Sequence, residues 1–259
     1  MTEDLLHKVH GNFGAAVQTL ARYCGGTIAH GAGLLCYASA SPSPFPWNGA
    51  LRTSGDMGAE EIMERAAALF EPLDHGFSFG ALEGIDDDLI AELGEAQARS
   101  PEMVIKESPD PMELADGVEI HIVNDETRRT DWLSAVSGAF ETLGESKETW
   151  WQCYPDVDSL ANPESVAMVL YKSGEPAAGG MYYRSGDVIE VLHIGTADNH
   201  RRQGYGRAVT TALTIHGFNN GATLASLQAE PMGLNTYQRI GFQTISTYHW
   251  YVRPTTTRS

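Results

Sequence analysis

Three arginines and two glycines crowd the seven positions Arg201-Arg202-Gln203-Gly204-Tyr205-Gly206-Arg207, in a chain whose formal net charge is -17. A glycine-rich turn between a strand and a helix gathers several backbone N–H groups at one point. The helix dipole adds partial positive charge there, so such a turn is suited to an anion. Gly204 and Gly206 lack a Cβ and let phosphate oxygens approach the amides, and Arg201, Arg202 and Arg207 supply neutralising charge. An ordinary turn with solvated arginines would have the same composition. A P-loop needs Gly-Lys-Ser/Thr where this chain has Gly206-Arg207-Ala208. The dinucleotide fingerprint needs a third glycine where Val209 stands.

Just upstream, Val188–Thr196 reads as an apolar strand in which Glu190 is conspicuous. His193 has the opposite parity and is expected on the other side of the sheet. Ala222–Ala229 reads as a buried strand, with Glu230 just past it, and Gly233–Ile240 as a short helix carrying Tyr237.

The elements around these residues alternate in period. Glu119–Val123 is expected to be a strand, and Asp125 to cap a helix that turns Trp132, Leu133, Val136 and Phe140 inward. Val166–Tyr171, Ala177–Tyr183 and Val188–Thr196 form three strands joined by turns at Ser173-Gly174 and Ser185-Gly186. A helix over Arg207–Phe218 and a last strand over Gln243–Val252 complete a mixed α/β sheet. Before Lys106–Gly117, where prolines and acids break the pattern, lies a smaller α/β domain. It reads as extended segments in Gly26–Ala40, a loop at Ser41–Pro46 and a tight turn at Trp47-Asn48-Gly49. Helices follow at Ala59–Phe70 and Asp86–Ala98, with strands at Phe77–Leu82 and Met103–Lys106. The domains are therefore expected at 1–110 and 118–259. The first holds no cluster that the sequence connects with chemistry.

Composition narrows the function. Residues 1–117 hold 19 acidic and 6 basic side chains, against 15 and 11 in the remainder. Backbone binding of nucleic acid needs a basic footprint, so nucleic acid is excluded as a partner. The acid field suits a cationic amine, and it suits plain solubility equally. No apolar run is long enough to cross a bilayer, and the first 25 residues lack a signal-peptide core. Cys24, Cys36 and Cys153 offer no disulfide framework. These features set a cytoplasmic location as the expectation. No CxxC or HExxH spacing occurs, and His7 and His10 read as surface residues of an amphipathic N-terminal helix. No metal is expected.

Arg201-x-x-Gly204-x-Gly206 resembles the acetyl-CoA signature of the GNAT superfamily of N-acetyltransferases, and Tyr237-Gln-Arg-Ile-Gly241-Phe242 resembles that family's Tyr-x-x-x-Gly-Phe element. The two stand in the family's order, separated by one helix and one strand. The resemblance covers about residues 118–259 and implies a V-splayed, mostly antiparallel mixed sheet flanked by helices. The strand–helix–strand reading of the first 110 residues suits a degenerate second copy of that fold.

The resemblance further implies acetyl-CoA as cosubstrate. The backbone amides of Ile194, Gly195 and Thr196 would polarise the thioester carbonyl. Those of Arg202, Gln203, Gly204, Tyr205, Gly206 and Arg207 would hold the pyrophosphate. Some members place a general-base glutamate where Glu190 stands, so Glu190 either takes the amine's proton, binds the ammonium or faces water. Tyr237 matches the tyrosine that donates a proton or a hydrogen bond to the departing CoA sulfur. Glu230 stands where the family often has Asn or Ser. The implied activity is direct transfer of acetyl to a primary amine of a small molecule, with a protein amine as the other acceptor. A non-catalytic acyl-CoA-binding module is the alternative.

Overall fold

The computed structural model describes residues 3–44, 46–55, 57–141 and 146–254. An acidic first turn and an apolar stripe make α1 (Glu3–Tyr23), which buries Leu6, Val9, Val17 and Leu20. The extended stretch after it folds as β1 (Thr27–Gly31) and β2 (Leu34–Ala38). Gly49, expected in a turn, opens a strand that the sequence reading missed, β3 (Gly49–Arg52). α2 (Ala59–Phe70) and β4 (Phe77–Leu82) keep their expected bounds. α3 is only Asp87–Leu93, because Gly94 leaves helical space at φ 73°. β5 begins five residues earlier than expected and spans Ala98–Ile105.

Next come β6 (Val118–Ile122), α4 (Glu126–Glu141), an unforeseen α5 (Lys147–Cys153), β7 (Ser165–Lys172), β8 (Glu175–Ser185) and β9 (Val188–Thr196). The chain closes with α6 (Tyr205–Asn219), β10 (Leu224–Gln228), α7 (Leu234–Ile240) and β11 (Gln243–Arg253). Phe45, in the expected Ser41–Pro46 loop, and the threonine run from Thr255 lie outside the described residues.

The chain packs as two units, residues up to Glu102 together with those from Thr244 onward, and Met103–Gln243. This division differs from the break expected in Lys106–Gly117. The C-terminal strand joins the first unit because Tyr248–Arg253 pairs antiparallel with Leu82–Phe77. A ladder of that length outweighs proximity in sequence.

In the first unit β1-β2-β3-β4-β11 run side by side, with β3 and β4 parallel and the other neighbours antiparallel. Alternation along β2 sends Leu34 and Cys36 into a core with Ile62, Ala66 and Phe70 of α2. Leu35 and Tyr37 enter a second core with Leu6, Val17 and Ala21 of α1. His10 is buried rather than at the surface. One ring nitrogen lies 2.7 Å from the Arg52 carbonyl, and the other lies 2.8 Å from the Tyr248 hydroxyl.

In the second unit Met103–Ile105 of β5 starts the order β5-β10-β9-β8-β7-β6. β6 to β9 pair antiparallel in sequence order, and β10 pairs parallel with β9. Val209 and Leu213 of α6 pack on one face with Tyr182, Ile189, Val191 and Leu227. α4 covers the other face, where a Cβ on Gly179 or Gly195 would strike Trp132 or Val136. The Asp125 carboxylate caps α4 as expected, accepting from the Arg128 amide at 2.8 Å. Among the described residues no helix is long and apolar enough to cross a membrane, and no group of His, Cys, Asp and Glu is disposed to hold a metal.

Candidate functional site

The register of the second unit's central strands opens a gap. β9 and β10 pair only through Val188↔Leu224, Ile189↔Ala225 and Glu190↔Ser226. β9 continues to Thr196, paired with β8 alone, so beyond Glu190 its other edge has no partner strand among the described residues. A β-bulge accompanies this departure. The β8–β9 register shifts between Gly179 and Met181, and His193 takes a φ of 56°. A bulge adds a residue to one strand and bends it. Ile194, Gly195 and Thr196 thus lie on an edge whose backbone groups are not consumed by a ladder on both sides.

The bulge overturns the parity expected for His193. Ile189 and Val191 belong to the core under α6, so Glu190 between them points to the opposite face. His193 sits on that face too, its ring against Trp150 at 4.9 Å and Tyr154 at 5.8 Å between centroids. Burial drops its pKa to about 3, so it is neutral and a poor proton acceptor at neutral pH. Glu190 is 2% exposed. Its carboxylate accepts a hydrogen bond from the Ser226 hydroxyl, itself buried directly across on β10. Ser226 went unnoticed in the sequence because only the parallel register brings it opposite Glu190. Trp150, Tyr154, Tyr182 and Tyr183 are core residues, whereas Trp151 is exposed beside the Arg129 guanidinium.

After Thr196 a 3-10 turn at Asp198–His200 leads into the glycine turn. Arg201 pairs with Asp198 at 2.8 Å. Arg202 and Gly204 both take left-handed φ angles, 64° and 83°. Gly204 is the N-cap of α6, and beyond its chain neighbours nothing among the described residues lies within 4 Å of where its Cβ would be. The first turn of α6 contains no acidic residue, and the first amides of a helix have no partner within it. The Arg207 Nε is buried without a hydrogen-bond partner among the described residues. Exposed glycine, orphaned guanidinium N–H and uncapped helix start together suit a phosphate-bearing ligand.

Tyr237 on α7 packs partly buried against the core. Its phenol is pushed up to about 12, first by burial and then by the negative charge of Glu230. Glu230 is itself raised by burial. Tyr237 therefore stays protonated throughout the neutral range.

Residues 128–242 match the Acetyltransferase (GNAT) family. No curated protein matches the chain. Among solved structures, a GCN5-related N-acetyltransferase from Kribbella flavida is similar at 20% identity and TM-score 0.70, over 96% of this chain and 95% of that one. Another, from Sphaerobacter thermophilus, is 12% identical at TM-score 0.57, covering 86% and 76%. A tandem GNAT protein from the clavulanic acid biosynthesis pathway is 10% identical at TM-score 0.58, covering 87% and 79%. At these identities the likeness concerns the fold.

Proposed function

From the match of residues 128–242 to the Acetyltransferase (GNAT) family, we propose that this protein transfers the acetyl group of acetyl-CoA to a primary amine of a small molecule. One observation carries the reading. The β9–β10 ladder stops at Glu190↔Ser226, while β9 runs on to Thr196 and into an arginine- and glycine-rich helix start.

The cosubstrate supplies an activated acetyl group as a thioester. The amides of Arg202, Gln203, Gly204, Tyr205, Gly206 and Arg207, with the Arg201, Arg202 and Arg207 guanidinium groups, bind its pyrophosphate. The open edge at Ile194, Gly195 and Thr196 presents N–H groups to the acyl oxygen, where they stabilise the charge that develops as the amine attacks.

The amine must arrive neutral or lose a proton on the way. Glu190 is the acid placed to take that proton, and at 2% exposure it does so by way of a water. Tyr237 acts on the sulfur side. A phenol near 12 cannot readily give its proton to a thiolate whose conjugate acid has a pKa of about 8.5, since full transfer would cost about 5 kcal/mol. Tyr237 instead steadies the departing sulfur by donating a hydrogen bond.

The test is release of free CoA thiol from acetyl-CoA in the presence of a panel of small amines and short peptides. Amine-dependent release supports the reading, and peptide-only release moves the acceptor to a protein amine. Saturable acetyl-CoA binding without release across the panel leaves an acyl-CoA-binding module, and the absence of binding removes the reading.

A further inference from the structure

The two units repeat one pattern of strand pairing. In the first, β1–β2 and β2–β3 are antiparallel, and α2 carries the chain across to β4, parallel to β3. In the second, β7–β8 and β8–β9 are antiparallel, and α6 carries the chain across to β10, parallel to β9. The turns entering the two crossover helices also correspond. Arg52-x-x-Gly55 leads to α2 as Arg201-x-x-Gly204 leads to α6. Gly55 and Gly204 share a left-handed φ, 85° and 83°, and beyond their chain neighbours neither has any of the described residues within 4 Å of where a Cβ would sit. Gly204 is itself the N-cap of α6, whereas the N-cap of α2 is Gly58, three residues past Gly55.

The charge that each turn presents is different. Arg52 makes five hydrogen bonds inside its own unit. They go to Asp86 Oδ1 at 2.9 Å, to the two Asp88 oxygens at 2.7 and 2.8 Å, and to the Ile85 and Met57 carbonyls. A guanidinium has five N–H donors, so none is left for a ligand. The first amide of α2, at Ala59, donates to Glu92 Oε2 at 3.1 Å. Glu60 and Glu61 occupy the first turn of that helix, where negative charge is stabilised by the dipole. A phosphate approaching α2 would have to displace one carboxylate and meet two more.

We propose that the first unit is a second copy of the same fold whose anion position is filled by the chain's own carboxylates, Glu92 foremost, so that one chain takes one acetyl-CoA, at the Gly204 turn. The statement about stoichiometry rests on the reading of the second unit given above. The first unit then contributes structure and a negative field rather than a second cosubstrate site.

Isothermal titration of the full chain with acetyl-CoA tests this, using wild type, Gly204→Val and Gly55→Val, with circular dichroism to verify folding. Gly204→Ala and Gly55→Ala serve as milder substitutes. One equivalent in the wild type is expected, with affinity at least tenfold weaker in the Gly204 variant and unchanged within twofold in the Gly55 variant. Two equivalents in the wild type would overturn the proposal. So would one equivalent of undiminished affinity in folded Gly204→Val, or a comparable loss in folded Gly55→Val. An absence of binding in every protein, with thiol release also absent, would remove the cosubstrate reading of the second unit and still count for a closed first unit.

Discussion

Arg52 and Arg201 each stand three residues before a left-handed glycine on the way into a crossover helix, yet their surroundings have little in common. The Arg52 side chain is 8% exposed and bound on every side, and its partner Asp86 is fully buried. The Arg201 side chain is 37% exposed and holds one surface carboxylate, Asp198. A buried guanidinium must be neutralised by fixed partners, because an uncompensated charge away from water is costly. An exposed one loses little by exchanging its partner for a ligand. Similar backbone turns thus become a structural clamp in one unit and a candidate phosphate site in the other.

Removing the clamp should have the largest effect. Arg52→Ala leaves the Asp86 carboxylate buried without its cation and is expected to cost about 3–5 kcal/mol, read as a lowered denaturation midpoint. A loss below 1 kcal/mol would mean that Asp86 finds another partner and that the contrast with Arg201 is one of degree. Tyr237→Phe should come next, lowering kcat about 10²-fold, the scale of a lost hydrogen-bond donor to developing charge. Acetyl-CoA affinity should hold, and a change confined to KM would assign Tyr237 to binding alone.

A pH effect follows from His193. Its folded pKa of about 3 lies below the unfolded value of about 6.5, so on acidification the unfolded chain takes up the proton first. Its contribution to stability is complete above pH 6.5 and is lost progressively toward pH 3, amounting to about 2 kcal/mol between pH 6.5 and 5. His193→Gln should flatten that slope in denaturant titrations. An unchanged slope would place the pH sensitivity elsewhere, with buried His10 of the first unit, also shifted down by burial, as the group to replace next. The smallest effect is expected for Arg201→Ala. Stability should stay within about 0.5 kcal/mol, and acetyl-CoA affinity should fall about tenfold. A large loss of stability would erase the distinction from Arg52.

Much of the second unit was legible in the sequence because its elements follow strong local periods and turn signals. Val188–Thr196 kept its bounds, and Asp125 capped its helix as expected. The first unit was less legible. β3 is four residues long and fully buried, so it shows no alternation to read. α5 is a single short aromatic-rich helix, and its residues resembled core as much as helix. The face of His193 was misjudged because parity assumes a regular strand, and a bulge cancels that assumption.

By itself the sequence determined the order of the strands in Met103–Gln243 and of its helices other than α5, the glycine–arginine turn at Arg201–Arg207 and the position of Tyr237 in chain order. Those features are local, set by spacing, turn chemistry and side-chain type within a few residues. Tertiary structure alone decided that the C-terminal strand completes the first unit, that Ser226 meets Glu190, that His193 joins the same face, and that Glu92 fills the start of α2. Each of these joins residues distant in sequence through ladder register or burial. Their energies depend on which distant partner is present, and a one-dimensional pattern does not carry that information.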